Sequence, residues 1–180
     1  MIADDIKEAT QGELRPDGWY VNQLESALSQ VQRRDASAID TQGIRMGDLV
    51  FFGYNPSFAQ NYEFWDVQPL AVVIGFYQEG ILGCNLHYIN PDYRDVIANA
   101  LLNSRGESPV PKNSVHKYLW SNMRTIFKVP REENWADISL LPTEQFIDKN
   151  GVRFPKYRAF NSRNQKRKKK GQKEEFTIKD

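Results

Sequence analysis

The chain has 180 residues, of which 40% are hydrophobic and 26% charged, with a formal net charge of +1; that is enough for one buried core and short for two full domains. No run approaches the roughly 18 apolar residues of a membrane span, and the acidic start MIADDIKEA lacks both the basic and the apolar part of a signal peptide. A single cysteine excludes an internal disulfide and a cysteine-rich zinc site, so an intracellular, reducing setting is expected.

The small net charge conceals a division. Residues 1–111 carry 7 Lys and Arg against 15 Asp and Glu, a balance of −8, and residues 112–180 carry 17 against 8, a balance of +9. A basic half suits contact with phosphate, and an acidic half suits protein or solvent.

In chain order, VNQLESALSQVQRR places Val21, Leu24, Leu28 and Val31 on one helical stripe, and DASAIDTQG reads as a linker. From Gly43 the pattern turns to strands. GDLVFFGYN, PLAVVIGFY and ILGCNLHYI are short apolar, β-branched runs that predict three consecutive antiparallel strands, the last two joined by a QEG hairpin with a positive φ expected at Gly80. Between the first two lies NPSFAQNYEFWDVQ, a long loop carrying Phe58, Tyr62, Phe64 and Trp65, which is what an interface anchor requires. INPDYRDVIANALLNSRG predicts a helix with Asn90 as N-cap, Pro91 at the first position and Tyr93, Ile97 and Leu101 facing inward. SVHKYLWSNMRTIFKV reads as a further helix from Ser114, with Val115, Tyr118, Leu119 and Met123 on its inner side, and ISLLP as a short closing strand. The organisation expected is an N-terminal helix and linker over 1–42, a core domain over 43–160 and a basic tail over 161–180.

Cys84 stands three residues before His87, one of only two histidines. On a strand, Leu82, Cys84, Leu86 and Tyr88 face one way while Gly83, Asn85, His87 and Ile89 face the other, so Cys84 and His87 cannot share a metal. Cys84 therefore reads as a small core residue and no metal or other cofactor is expected. Asn85 and His87 lie among apolar neighbours, and an unpartnered buried amide or imidazole costs about 1 to 3 kcal/mol. They are expected to form a structural hydrogen-bond pair, with the Asp66 carboxylate and backbone groups of the long loop as partners. The run KRKKK, flanked by Arg163 and Lys173, makes Arg163, Lys166, Arg167, Lys168, Lys169, Lys170 and Lys173 the candidate nucleic-acid contacts; Tyr157 and Phe160 upstream are either stacking platforms or core anchors.

The order of GDLV, a long loop and PLAVVI is similar to small SH3-like barrels, including ribonuclease toxins. No Lys or Arg lies between Arg45 and Arg94, so the cation that would stabilise a phosphorane is missing from those strands. A larger pattern resembles a family of virion proteins of large contractile-tailed bacteriophages, identified as DNA end protectors or head-completion proteins. It is carried by Tyr54, Asn55 and Pro56; by Trp65, Asp66, Pro69 and Leu70; by Gly80 to Ile89 with its GxNLHY; and by Trp135, Leu141, Pro142, Thr143, Glu144 and Phe146. It spans about residues 49 to 146, and Asn55 stands where the family pattern is acidic.

The resemblance implies a non-enzymatic virion protein that is made in the bacterial host cytoplasm and binds the packaged DNA terminus. Its implied partners are portal, neck or tail subunits and further copies of itself in a symmetric assembly, with no membrane. The alternative is an adaptor subunit of neck, tail or baseplate that docks through the aromatic loop. The expected fold is α+β: a small antiparallel SH3-like barrel or curled sheet packed by two to three helices, with a basic C-terminal tail.

Overall fold

The computed structural model describes residues 1–34 and 43–162. Two helices come first, α1 (Ile2–Ala9) and α2 (Asp17–Arg34), followed by strands β1 (Leu49–Tyr54), β2 (Phe64–Asp66), β3 (Leu70–Tyr77) and β4 (Gly80–Asn85). Helix α3 (Pro91–Ser104) leads to β5 (Val115–Leu119) and β6 (Met123–Val129), then α4 (Trp135–Ser139), β7 (Phe146–Asp148) and α5 (Lys156–Phe160). Five strands form one antiparallel sheet in the order β5-β4-β3-β1-β6, and β2 pairs with β7 in a second, two-stranded sheet. The fold is α+β, as expected.

The large sheet curls. Extra residues bulge β6 opposite Phe51 and Gly53 and bulge β3 opposite Gly83 and Leu82, and bulges of this kind bend a strand and raise its twist. The curl brings the two edge strands close enough for a turn of three residues, Trp120–Asn122, to join β5 to β6. They do not pair with each other, so of the two expected forms the chain adopts the open curled sheet.

Both faces of that sheet are buried, which is why its central strands read as unbroken apolar runs. Leu49, Phe51, Leu70, Val72 and Cys84 face the helices, packing with Ile2 and Ile6 of α1, Tyr20, Leu24 and Leu28 of α2, Leu101 of α3 and Trp135 of α4. Val50, Phe52, Ala71, Val73, Ile81 and Tyr118 form a second core on the opposite face, where the curled sheet packs on itself. A third, aromatic cluster under the small sheet joins Phe64, Tyr88, Phe146 and Phe154, with the Phe64 and Phe154 rings stacked at 4.0 Å.

Four expectations change. The segment from Ser114 supplies the two opposite edge strands of the sheet, because its alternating β-branched and aromatic residues complete the two faces; the helix-like spacing arises where the turn at Trp120 shifts the phase. ISLLP is the end of α4 and the turn after it, since Asn134 caps that helix by accepting from the Asp137 amide at 3.2 Å. In α3 the cap is as expected, Asn90 Oδ1 accepting from the Asp92 amide at 3.0 Å, but the helix is rolled so that Arg94, Ala98 and Leu101 face inward and Tyr93 is exposed. Gly80 lies within β4 without a positive φ; it is needed because a Cβ there would collide with the Tyr118 carbonyl of the adjacent strand. The DASAIDTQG linker lies outside the described residues apart from Gly43.

Candidate functional site

Where the short strand β2 ends, Asp66 is placed behind the main sheet with its carboxylate almost wholly buried. Its Oδ2 accepts from Asn85 Nδ2 at 2.9 Å and pairs with His87 Nδ1 at 2.7 Å, and its Oδ1 accepts from the Gln68 amide at 3.0 Å. Strand β4 ends at Asn85, and a one-turn 3-10 segment, Leu86–Tyr88, follows. Asn85 Oδ1 accepts from the His87 amide at 3.0 Å, which tightens that turn and keeps both side chains on one side. His87 Nε2 lies 3.0 Å from the Thr143 hydroxyl. Both ring nitrogens of His87 thus have a polar partner, Asp66 at Nδ1 and the Thr143 hydroxyl at Nε2, and Thr143 in turn donates to the Leu141 carbonyl at 3.4 Å. The pair expected from the sequence is in place, with Asp66 as its partner.

An ionic chain continues the network. Arg94 is 1% exposed and donates to the carbonyls of Ile89 at 2.8 Å, Ser139 at 2.7 Å and His87 at 3.3 Å, while its Nη1 meets Glu144 Oε1 at 2.6 Å. Lys156 joins Glu144 Oε2 at 3.0 Å to Asp17 at 2.9 Å, and Arg153 also pairs with Asp17. Burial raises the Glu144 carboxyl, but the charges of His87, Arg94 and Lys156 outweigh it and bring the group down to about 2. The buried centre thus ties α2, β2, the 3-10 turn, α3, the 141–145 turn and the C-terminal segment into one unit.

Asp66, His87 and Thr143 stand in the order of an orienting acid, a base and a hydroxyl nucleophile. Thr143 and His87 have no exposed surface, so the hydroxyl cannot meet a substrate in this conformation. The arrangement is suited to holding segments together.

A small recess of about 30 Å³ opens on the outer side of the same centre. Tyr54 and Pro56 line it from the end of β1, Tyr62 from the loop, Trp65 and Asp66 from β2, and Tyr88 with His116, Lys117 and Tyr118 from the turn and β5. The Tyr54 and Tyr118 rings meet edge to face at 4.8 Å, and Tyr88 lies against His116 at 4.2 Å. Burial pushes the Tyr88 and Tyr118 hydroxyls well above their usual range, and the Asp66 charge adds to the effect. Burial takes the His116 imidazole down to about 4, against the hydrogen bond to the Asn113 carbonyl, so His116 adds no positive charge at neutral pH.

The aromatic residues singled out in the loop divide. Phe58 is exposed and Tyr62 is half-buried, but Phe64 and Trp65 belong to β2 and are buried, Phe64 within the aromatic cluster and Trp65 with one side on the recess. Phe64 is therefore a core residue, because pairing with β7 turns its ring toward Tyr88 and Phe146. Phe160 is an anchor, lying 5.1 Å beneath the Arg94 guanidinium, whereas Tyr157 is exposed. Cys84 meets Ser114 at 3.3 Å, away from His87. Arg163, Lys166, Arg167, Lys168, Lys169, Lys170 and Lys173 lie outside the described residues. Arg94 and its ion pair were missed; Arg94, Ala98 and Leu101 are as helically spaced as Tyr93, Ile97 and Leu101, and an arginine at that position carries no sign of burial. No helix among the described residues is long and apolar enough to cross a membrane. Comparison with protein-family models, with curated proteins and with solved structures finds no match for this chain.

Proposed function

We propose that this chain is a non-enzymatic virion protein of a contractile-tailed bacteriophage, of the head-completion type, whose basic C-terminal tail grips the end of the packaged DNA. The observation that supports it best is the fate of the residues carrying the resemblance. Asp66, Asn85, His87, Thr143 and Glu144 come from three distant segments and meet in one buried network that joins elements without opening to a substrate. A rigid body with a run of five consecutive basic residues in its tail suits a protein that docks by its folded part and contacts phosphates by its tail.

The test is a gel shift with linear and circular DNA of one sequence across a salt series. Seven phosphate contacts give a log-log salt slope of about −6, and changing Lys166, Arg167, Lys168, Lys169 and Lys170 to Gln lowers its magnitude by about 4 to 5. Equal affinity for linear and circular DNA removes end recognition, and no binding at low salt removes DNA. Locating the chain in an intact particle then separates head, neck and baseplate. The second reading, an adaptor that docks onto other virion proteins through its aromatic surface, is favoured by the recess between Tyr54, Tyr62 and Tyr118.

A further inference from the structure

Helix α3 turns one face into the core and leaves the other bare. Asp92, Tyr93, Asp95 and Val96 are exposed, Tyr93 at 63% and Val96 at 65%, while Arg94, the only cation in the helix, is drawn inward. Asp92 and Asp95 enter no ion pair among the described residues. The described chain ends beside this face. Phe160 lies 5.1 Å beneath the Arg94 guanidinium, and Asn113 Nδ2 donates both to the Phe160 carbonyl at 3.4 Å and to the Tyr88 carbonyl at 2.9 Å, just ahead of α3. Ser162 therefore follows close to the first turn of α3, and residues 163–173 beyond it hold seven Lys and Arg and no Asp or Glu.

We propose that, when no nucleic acid is bound, residues 163–173 dock on the Asp92–Val96 face of α3 in the same chain, so that α3 and DNA compete for one set of cations. The competition rests on the DNA reading above; the contact itself does not. The two carboxylates complement the basic run, the Tyr93 ring takes an ammonium or guanidinium over its face, and the methylene stems of lysine cover Val96. Helix α1 also exposes Asp4 and Asp5, but it contains no aromatic ring to set beside them. Closing a short tether onto a neighbouring surface costs little chain entropy, whereas the tail of a second copy reaches α3 without that advantage. Exposed ion pairs are individually weak and are screened by salt, so the contact yields to a polyanion that offers a phosphate to each cation.

The experiment uses the full ¹⁵N-labelled chain with a nitroxide attached at Lys168→Cys, Cys84 being buried and out of reach of the reagent. At low salt the amide signals of Asp92, Tyr93, Asp95 and Val96 are expected to broaden while those of Asp4 and Asp5 stay sharp, and high salt should restore the α3 signals. Sharp α3 signals at low salt overturn the proposal, as does equal broadening of α1. So does broadening of α3 that persists undiminished when the nitroxide chain is diluted into unlabelled chain lacking ¹⁵N but also arises between a nitroxide chain and a separate ¹⁵N chain, because it assigns the tail to a second copy. In the gel shift with linear DNA, Asp92→Asn combined with Asp95→Asn should raise affinity about two- to fivefold. Asp4→Asn combined with Asp5→Asn changes the net charge equally and should give a smaller gain; an equal gain in both removes the competition. If α3 broadens and no form of the chain binds DNA, the DNA reading fails and the docking stands.

Discussion

Asp66 accepts from Asn85 and from the Gln68 amide and pairs with His87 Nδ1, so replacing its carboxylate by an amide introduces a donor where donors already converge. Asp66→Asn is expected to lower stability by about 3 kcal/mol and His87→Gln by about 1 to 3 kcal/mol. The double variant should lose less than the sum, because both changes break the same bond; urea unfolding of the four proteins measures this. Exposed pairs such as Lys7 with Asp137 contribute at most about 1 kcal/mol, so the buried set dominates. Glu144 gives the centre a pH dependence. Its carboxyl falls from 4.5 when unfolded to about 2 when folded, so its stabilisation is complete above pH 4.5 and is lost as pH falls toward 2, in total about 3 kcal/mol. His116, lowered from 6.5 to about 4, adds an earlier loss as pH falls from 6.5 to 4, because the unfolded chain takes up the proton first. Glu144→Gln should remove the lower of these two steps in acid unfolding curves while leaving the upper one.

The elements show the same opposition between local preference and packing. In the β6 bulge, Thr125 holds a left-handed φ of 47°, a position that favours glycine and that a β-branched residue occupies at a cost of about 1 to 2 kcal/mol. The bulge supplies the bend that lets the turn after β5 reach β6, so the strain is retained. Thr125 is exposed, and Thr125→Gly should relieve that strain at some cost in chain entropy. A net gain of about 0.5 to 1 kcal/mol in thermal or urea unfolding is expected, and a loss would mean that the Thr125 side chain has a role beyond its backbone.

Over the whole molecule, the N-terminal helices are part of the main core. Leu24 and Leu28 of α2 have almost no exposed surface and pack with strand residues Leu49, Phe51 and Val129, although the linker separates the two segments in sequence. Leu24→Ala should cost about 2 to 5 kcal/mol, a fall in Tm of roughly 2 to 4 °C for each kcal/mol in a chain of this size. Helical circular dichroism and tryptophan fluorescence should report one coincident transition; two separated transitions would show that α1 and α2 unfold independently of the sheet.

Sequence by itself determined what depends on neighbours in the chain. The apolar runs of β1, β3 and β4, the Asn90-Pro91 cap of α3 and the need of Asn85 and His87 for a partner were all legible, because strand alternation, capping and the cost of a buried polar group are local rules. Even Asp66 could be named, since it lies a few residues before the strand that pairs with β4. Tertiary structure decided the rest. The roll of α3 that buries Arg94 and exposes Tyr93 depends on the Ser139 carbonyl, 45 residues away, and on Glu144 beyond it being there to receive the guanidinium. The segment from Val115 to Val129 could satisfy a helical or an extended pattern, and became two strands because both edges of the curled sheet had unpaired backbone groups to offer. Phe64 and Trp65 left the loop for the same reason, β7 supplying a partner strand from the far end of the chain. In each case the deciding free energy lies in a contact between residues remote in sequence, which no local pattern records.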